Sequence, residues 1–215
     1  MKTVAFVPIR LNSKRVPHKN IKLLGERPLL CYVLETLVKV AEIDAVYVYC
    51  SSDEILRYLP EGVLFLKRPE QLDRDETLGA EIYDAFIATI DADVYLLAHT
   101  TSPFMKAQTV SNALRQVQCG KYDSAFSVEK IQTFAWYNGT PLNYAPKAIP
   151  RTQNIEPVYV ETSAFYIFRR DVWQTLGQRV GHKPYMAVVD KIEGVDIDTP
   201  DDFKFAEQIV HMRPM

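Results

Sequence analysis

Two groups of residues near opposite ends of the chain have the types and spacing for chemistry on phosphate. Near the start, the apolar run Val4 to Ile9 feeds into Arg10-Leu11-Asn12-Ser13-Lys14-Arg15-Val16-Pro17-His18-Lys19-Asn20. Between Arg10 and Lys22 there are five Lys or Arg residues and no acid, in a chain whose formal net charge is -2. A cationic excess where a buried strand ends predicts a polyanion site at the carboxyl edge of a sheet, the edge at which open α/β sheets bind ligands. Asn12 and Ser13 allow a tight turn with exposed backbone N–H groups. Pro17 stiffens the loop, while the Arg fork and Lys point charges both suit phosphate oxygens. On these residues alone, a solvated basic loop without a ligand is the competing reading. Toward the other end stand Asp196-Ile197-Asp198. In an extended segment residues two apart point the same way, so both carboxylates can reach one cation. Hard Mg²⁺ held by one or two carboxylates plus phosphate oxygens is the usual arrangement for such a pair. The alternative, acids favoured by a helix N-terminus, suits Asp201 and Asp202 after Thr199-Pro200; Asp196 and Asp198 precede that cap.

The elements that must position these groups follow from periodicity. Val4 to Ile9, Ala45 to Cys50, Val63 to Leu66, Val94 to Ala98 and Ser124 to Val128 read as strands. Leu30, Val33, Leu34, Leu37, Val40 and Ala41 form one helical stripe, with Pro28 in its first turn. Leu78, Ile82, Ala85, Phe86 and Thr89 form another, and Val110, Ala113, Leu114 and Val117 a third. A short helix capped by Ser51, Ser52 or Asp53 ends near Pro60. Strands alternating with helices at this spacing predict an α/β fold with a doubly wound, mainly parallel sheet. The pattern then breaks at Phe134 to Tyr144, where Asn138-Gly139 signals a hairpin. The proline-rich stretch that follows to Pro157 predicts an arm, at about residues 130–157, inserted in a single domain. Val158 to Val160, Ala164 to Phe168 and Met186 to Val189 return to strand, Asp171 opens a short helix, and a final helix presents Phe203, Ala206 and Val210.

Composition narrows the function classes. Hydrophobic content of 47% with 24% charged residues is ordinary for a soluble globular protein, and a net charge of -2 speaks against general nucleic-acid binding. The basic loop therefore points to a small anion. Three scattered cysteines, Cys31, Cys50 and Cys119, read as reduced thiols. With Met1-Lys2-Thr3 leading directly into a strand and no long apolar run, the expectation is a cytoplasmic protein with no membrane partner.

Arg10-x-x-Ser13-Lys14 with Lys19-Asn20 resembles the signature loop of the cytidylyltransferases that activate sialic acids and related nine-carbon acidic sugars, the acylneuraminate synthetases. Arg68-Pro69-Glu70-Gln71-Leu72 with Asp75-Glu76-Thr77 looks like that family's second nucleotide segment. Thr101-Ser102-Pro103-Phe104 resembles its turn after a central strand. Arg151-Thr152-Gln153 with Val158-Tyr159-Val160-Glu161 resembles its sugar-side segment, and Asp196-Ile197-Asp198-Thr199-Pro200 with Asp202 its closing metal motif. Five such segments in family order extend the likeness along nearly the whole chain. The resemblance implies a Rossmann-like nucleotidyltransferase fold, akin to GT-A, and a reaction of CTP with a 2-keto acidic sugar that yields the CMP-sugar and pyrophosphate. It implies catalytic roles for Arg10, Lys14 and Asp198, with Mg²⁺ on Asp196 and Asp198. It implies nucleotide contacts from Leu11, Asn12, Ser13, Lys19, Asn20, Arg68 and Thr77. Sugar contacts fall to His99, Thr101, Ser102, Arg151, Gln153, Tyr159, Glu161 and Thr162. A homodimer is implied as well.

The chain departs from the family pattern at three places. Leu11-Asn12 stands for two glycines, His99-Thr100 for Gln-Pro, and Thr162-Ser163 for Asn-Gly. Two of these lie on the sugar side, so the expected acceptor is a relative of sialic acid such as a diamino-dideoxy nonulosonic acid. The competing readings are a nucleotidyltransferase for another sugar such as 3-deoxy-octulosonic acid, a GT-A-type glycosyltransferase using Asp196-x-Asp198, and a silent binding module.

Overall fold

The structure is a computed structural model that describes residues 1–13 and 15–212. Lys14 therefore lies outside the described residues. Strand β1 (Thr3–Ile9) is followed by a 3-10 turn at Lys19–Ile21, a small hairpin of β2 (Leu23–Leu24) and β3 (Arg27–Pro28), and helix α1 (Leu29–Val38). Then come β4 (Ala45–Cys50), β5 (Val63–Lys67), α2 (Gly79–Thr89), β6 (Val94–Ala98), α3 (Ala107–Gln118) and β7 (Ser124–Ile131). The arm carries β8 (Trp136–Tyr137) paired with β9 (Thr140–Pro141), after which β10 (Val158–Arg169), α4 (Arg170–Leu176), β11 (Pro184–Val189) and α5 (Pro200–Met212) complete the chain.

Seven strands form one sheet in the order β11-β7-β10-β6-β1-β4-β5. β1 runs parallel to β4 and β6, β5 parallel to β4, and β11 parallel to β7, while β10 is antiparallel to both neighbours. The expected doubly wound α/β sheet is therefore present, with one reversed strand. Strand alternation buries both faces of β1. Ala5, Val7 and Ile9 pack with Leu30, Leu34 and Leu37 of α1 and Val110 and Leu114 of α3. Val4 and Phe6 face the other way, toward Phe86 of α2 and Trp173 of α4. Phe6 and Phe86 stack with centroids 4.3 Å apart.

A third cluster joins Val16, Leu24, Leu29 and Phe104 to Ile197, Phe203 and Ile209. It fixes α5, and with it the Asp196–Asp198 segment, against the basic loop. Gly25 makes that approach possible: its φ is +62°, and an added Cβ would lie 2.9 Å from Val210 on α5. Several boundaries differ from the sequence reading. Helix α1 ends at Val38 with Lys39 as cap, so Val40 and Ala41 lie beyond it, and Pro28 precedes the first helical residue instead of occupying it. The two short strands expected at Val158 and Ala164 are one twelve-residue strand interrupted by a bulge between Glu161 and Tyr166, with Ser163 at φ 57°. Among the described residues no helix is long and apolar enough to cross a membrane.

Candidate active site

The basic loop and the Asp-x-Asp segment meet at the carboxyl edge of the sheet. A cleft of about 480 Å³ is lined there by Arg10, Ser13, Arg15, Lys19, His99 and Asp198, among others. A neighbouring hollow of about 530 Å³ is lined by Arg10, Leu11, Asn12, Ser13, Ser52 and Asp75, among others. Arg10 borders both. Its guanidinium stands 3.7 Å from Asp75, with both side chains about half exposed, so an entering phosphate can exchange with that carboxylate at small cost.

Hydrogen bonds hold the two halves in register. The Ile197 N–H donates to the Thr101 carbonyl at 2.8 Å, tying the Asp-x-Asp segment to the end of β6. Ile197 is buried between the two acids, as alternation in an extended segment requires. Lys19 Nζ donates to the Ile197 carbonyl at 2.6 Å and lies 3.6 Å from Asp198 Oδ1, and Arg15 reaches Asp198 Oδ2 at 2.9 Å. Asp202 serves the helix end. It accepts from the N–H groups of Asp198 and Thr199, while Thr199 caps α5. The hydrogen bond from Thr199 holds the Asp202 carboxyl below its ordinary range.

The donor set fits a hard divalent cation. Asp196 Oδ1 is buried without a hydrogen-bond partner, and burial pushes its carboxyl above the ordinary range, opposed by Thr101 and reinforced by the nearby Asp198 charge. A partnerless buried carboxylate oxygen beside a second carboxylate suits Mg²⁺, which is satisfied by one or two carboxylates and fills its remaining positions with phosphate oxygens and water. Without a cation the arrangement strains stability. Because the Asp196 pKa is raised, the burial cost is present above that pKa and is relieved as pH falls through it. Asp196→Asn is therefore expected to melt higher than the wild type at pH 7 to 8 without added metal. The difference should close toward acid pH; equal melting at every pH would contradict it.

The other expected site residues are spread more widely. His99 lines the cleft. Its Nδ1 lies 2.6 Å from the Ser163 carbonyl, which only accepts, so Nδ1 carries the proton and Nε2 is the acceptor in the neutral ring. Burial pushes the His99 pKa down and keeps the ring neutral. Thr101 also lines the cleft, and Ser102 is fully buried behind it. Asn20 is committed internally: its amide donates to the Arg10 carbonyl at 2.8 Å and accepts from Thr100. Arg68 is 2% exposed and spends its guanidinium on Asp73 and the Tyr49 carbonyl, and Thr77 closes a turn on Arg74. Thr162 is buried and donates to Ser127. Asn20 still lines the cleft, whereas Arg68, Thr77 and Thr162 do not. Arg151 and Gln153 are exposed on the arm, and Tyr159 and Glu161 on the near half of β10; none of the four lines the central cleft. Arg15 and Thr100 carry more of the site than expected. Arg15 was legible as one more cation of the loop, whereas Thr100 lines the cleft and also donates to Asn20.

A parallel-sheet α/β core here sets a cationic loop against paired carboxylates at its carboxyl edge, an arrangement suited to a polyanion held together with a cation. Residues 4–214 match the Cytidylyltransferase family, and the chain belongs to it. It is 29% identical over 217 residues to the N-acylneuraminate cytidylyltransferase of Oncorhynchus mykiss, covering 96% of this chain and 50% of that protein. It is 26% identical over 218 residues to the protein of the same name from Escherichia coli O18:K1:H7, covering 95% and 51%. The chain thus spans about half the length of these curated relatives. Among solved structures, a CMP:2-keto-3-deoxy-manno-octonic acid synthetase complexed with CTP superposes with a TM-score of 0.73 at 16% identity, over 99% of each chain. The 4-diphosphocytidyl-2C-methyl-D-erythritol synthase of Anaerococcus prevotii superposes at 0.70 with 12% identity, over 98% of this chain and 96% of that one. At these identities the superpositions establish the fold.

Proposed function

We propose that this chain transfers a cytidylyl (CMP) group from CTP to the anomeric hydroxyl of an acidic 2-keto sugar of the sialic-acid type, releasing pyrophosphate. The observation that carries the reading is Asp198, in a segment tied through Ile197 to the turn after β6, lining one cleft with Arg10, Arg15 and Lys19. The names of the curated relatives support cytosine as the base and an acylneuraminate as the acceptor. Displacement at phosphorus needs positioning and charge neutralisation more than covalent help. Arg10, Lys14 and Lys19 hold the triphosphate and stabilise the leaving pyrophosphate. Leu11, Asn12 and Ser13 offer backbone to the phosphates. Asp196 and Asp198 would hold Mg²⁺, which when bound would supply positive charge to the phosphates and lower the cost of deprotonating the attacking hydroxyl. His99, with Thr101, faces the acceptor and offers Nε2 to one of its hydroxyl or N–H groups.

The whole chain acts as one nucleotidyltransferase unit, with the arm as its appendage. The arm exposes Trp136, Tyr137, Leu142 and Ile149, apolar side chains that a second copy would cover, and the working form is a homodimer through it. Arg151, Gln153 and Tyr159 then belong to the acceptor side of the assembled enzyme. Buried reduced thiols at Cys31 and Cys50 suit a cytoplasmic setting. The test combines the protein with Mg²⁺, each of the four nucleoside triphosphates and a panel of acidic sugars, reading pyrophosphate. Release with CTP and a nine-carbon acid is expected. Release only with 3-deoxy-manno-octulosonate would move the acceptor to the eight-carbon class, and no release with any pair would overturn the reading.

A further inference from the structure

A groove that the family motifs do not reach is linked to His99 of the cleft through the ring of Tyr166. It is about 390 Å³ in volume and lies between the start of α2 and the turn after α4, lined by Gly79, Ala80, Tyr83, Trp173, Gly177 and Arg179, among others. Tyr83 and Trp173 pack edge-to-face there, 5.9 Å apart, as an aromatic wall. Arg179 is its cation. The guanidinium carbon lies 3.6 Å from the centroid of the Tyr166 ring, and the His99 ring packs edge-on to the same Tyr166 at 6.3 Å. One tyrosine therefore joins the groove's arginine to the histidine of the cleft.

The surroundings leave Arg179 available for a ligand. Its ion pair among the described residues is with Glu161 Oε2 at 4.0 Å, longer than a hydrogen bond, and its side chain is 35% exposed. The same Glu161 oxygen accepts from the Tyr166 hydroxyl, so that carboxylate is shared. A guanidinium has five N–H donors and no acceptor, and stacking on an aromatic face fixes its plane at little entropic cost. Next to it, neutral His99 presents an acceptor nitrogen. A donor and an acceptor thus pack against one tyrosine ring, a polar pair of defined sense.

We infer that Arg179, held on the Tyr166 ring that also packs against His99, is a specificity-determining residue of the acceptor site, donating to a carboxylate or acyl-carbonyl oxygen of the sugar. The inference deepens the proposed function and rests on it for the identity of the ligand as an acidic sugar. Glu161 and Tyr166 are positioning residues for this guanidinium.

The test uses the full chain with Mg²⁺ and CTP and reads two quantities: calorimetric affinity for an N-acylneuraminate and for 3-deoxy-manno-octulosonate, and pyrophosphate release with each. Arg179→Gln is expected to weaken sugar binding about 10- to 100-fold and to raise the acceptor KM correspondingly. The CTP KM and the melting temperature should stay near wild type. Arg179→Lys, which keeps the charge and loses the fork, should recover part of the affinity. Weakening for both sugars assigns the contact to the carboxylate they share; weakening for the N-acylneuraminate alone assigns it to the acyl oxygen. Unchanged affinity and acceptor KM in Arg179→Gln, with pyrophosphate still released, would overturn the inference alone. An Arg179-dependent affinity without pyrophosphate release would uphold it and overturn the catalytic reading. Failure of the wild type to bind either sugar would overturn both.

Discussion

Asp198→Asn is expected to lower turnover about 1000-fold while the protein stays folded. Asp198 is the exposed member of the acid pair, 53% accessible at the side chain and shared between Arg15 and Lys19. Exposed ion pairs of this kind contribute little to stability, so the melting temperature should move by no more than about 2 °C. The substitution keeps the shape, removes the charge and turns one of the two accepting oxygens into a donor. If the carboxylate holds the cation, raising the Mg²⁺ concentration should recover part of the rate. A rate within a few-fold of wild type would remove Asp198 from the chemistry and leave Asp196 as a buried carboxylate without a role.

Arg10→Ala should lower kcat/KM for CTP about 100- to 1000-fold, the scale of losing one preorganised donor to a phosphoryl transition state. Arg10 follows the last residue of β1 and borders both the central cleft and the neighbouring hollow, the position from which one guanidinium can span two phosphates. Its partner in the free protein is Asp75, at 3.7 Å, so the loss should appear in substrate kinetics and not in denaturant midpoint. The acceptor KM should be nearly unchanged, the mirror image of the pattern expected for Arg179. A variant that loses acceptor affinity instead would place Arg10 on the sugar side.

The pattern of elements was legible because β1, β4 and β6 are short apolar runs ending at loop residues, and β1 and β6 are each followed by a helix with a clear stripe. β10 was harder to read. Thr162-Ser163 interrupts its apolar alternation, and only the structure shows that the interruption is a bulge in which Ser163, at φ 57°, turns its carbonyl onto His99. The two chemical groups were also legible: a run of five cations and two acids spaced by one residue are local signals. What stayed hidden was how polar side chains divide between ligand and protein. Asn20, Arg68 and Thr162 have the right chemistry for a substrate, and each is already matched by a partner distant in sequence, at Thr100, at Tyr49 and at Ser127. Arg179 is the converse case. It sits in an unpatterned polar turn, and its significance comes from Tyr166 and Glu161 beneath and beside it.

The central claim concerns which bond of CTP is broken and where the cytidylyl group goes, and ³¹P NMR of one reaction mixture reads both. With the wild-type protein, Mg²⁺, CTP and an N-acylneuraminate, the α-phosphorus is expected to reappear as a single sugar phosphodiester while the β- and γ-phosphorus appear as pyrophosphate, in equal amounts. CDP with inorganic phosphate, or a CTP spectrum that does not change with protein, would contradict the account.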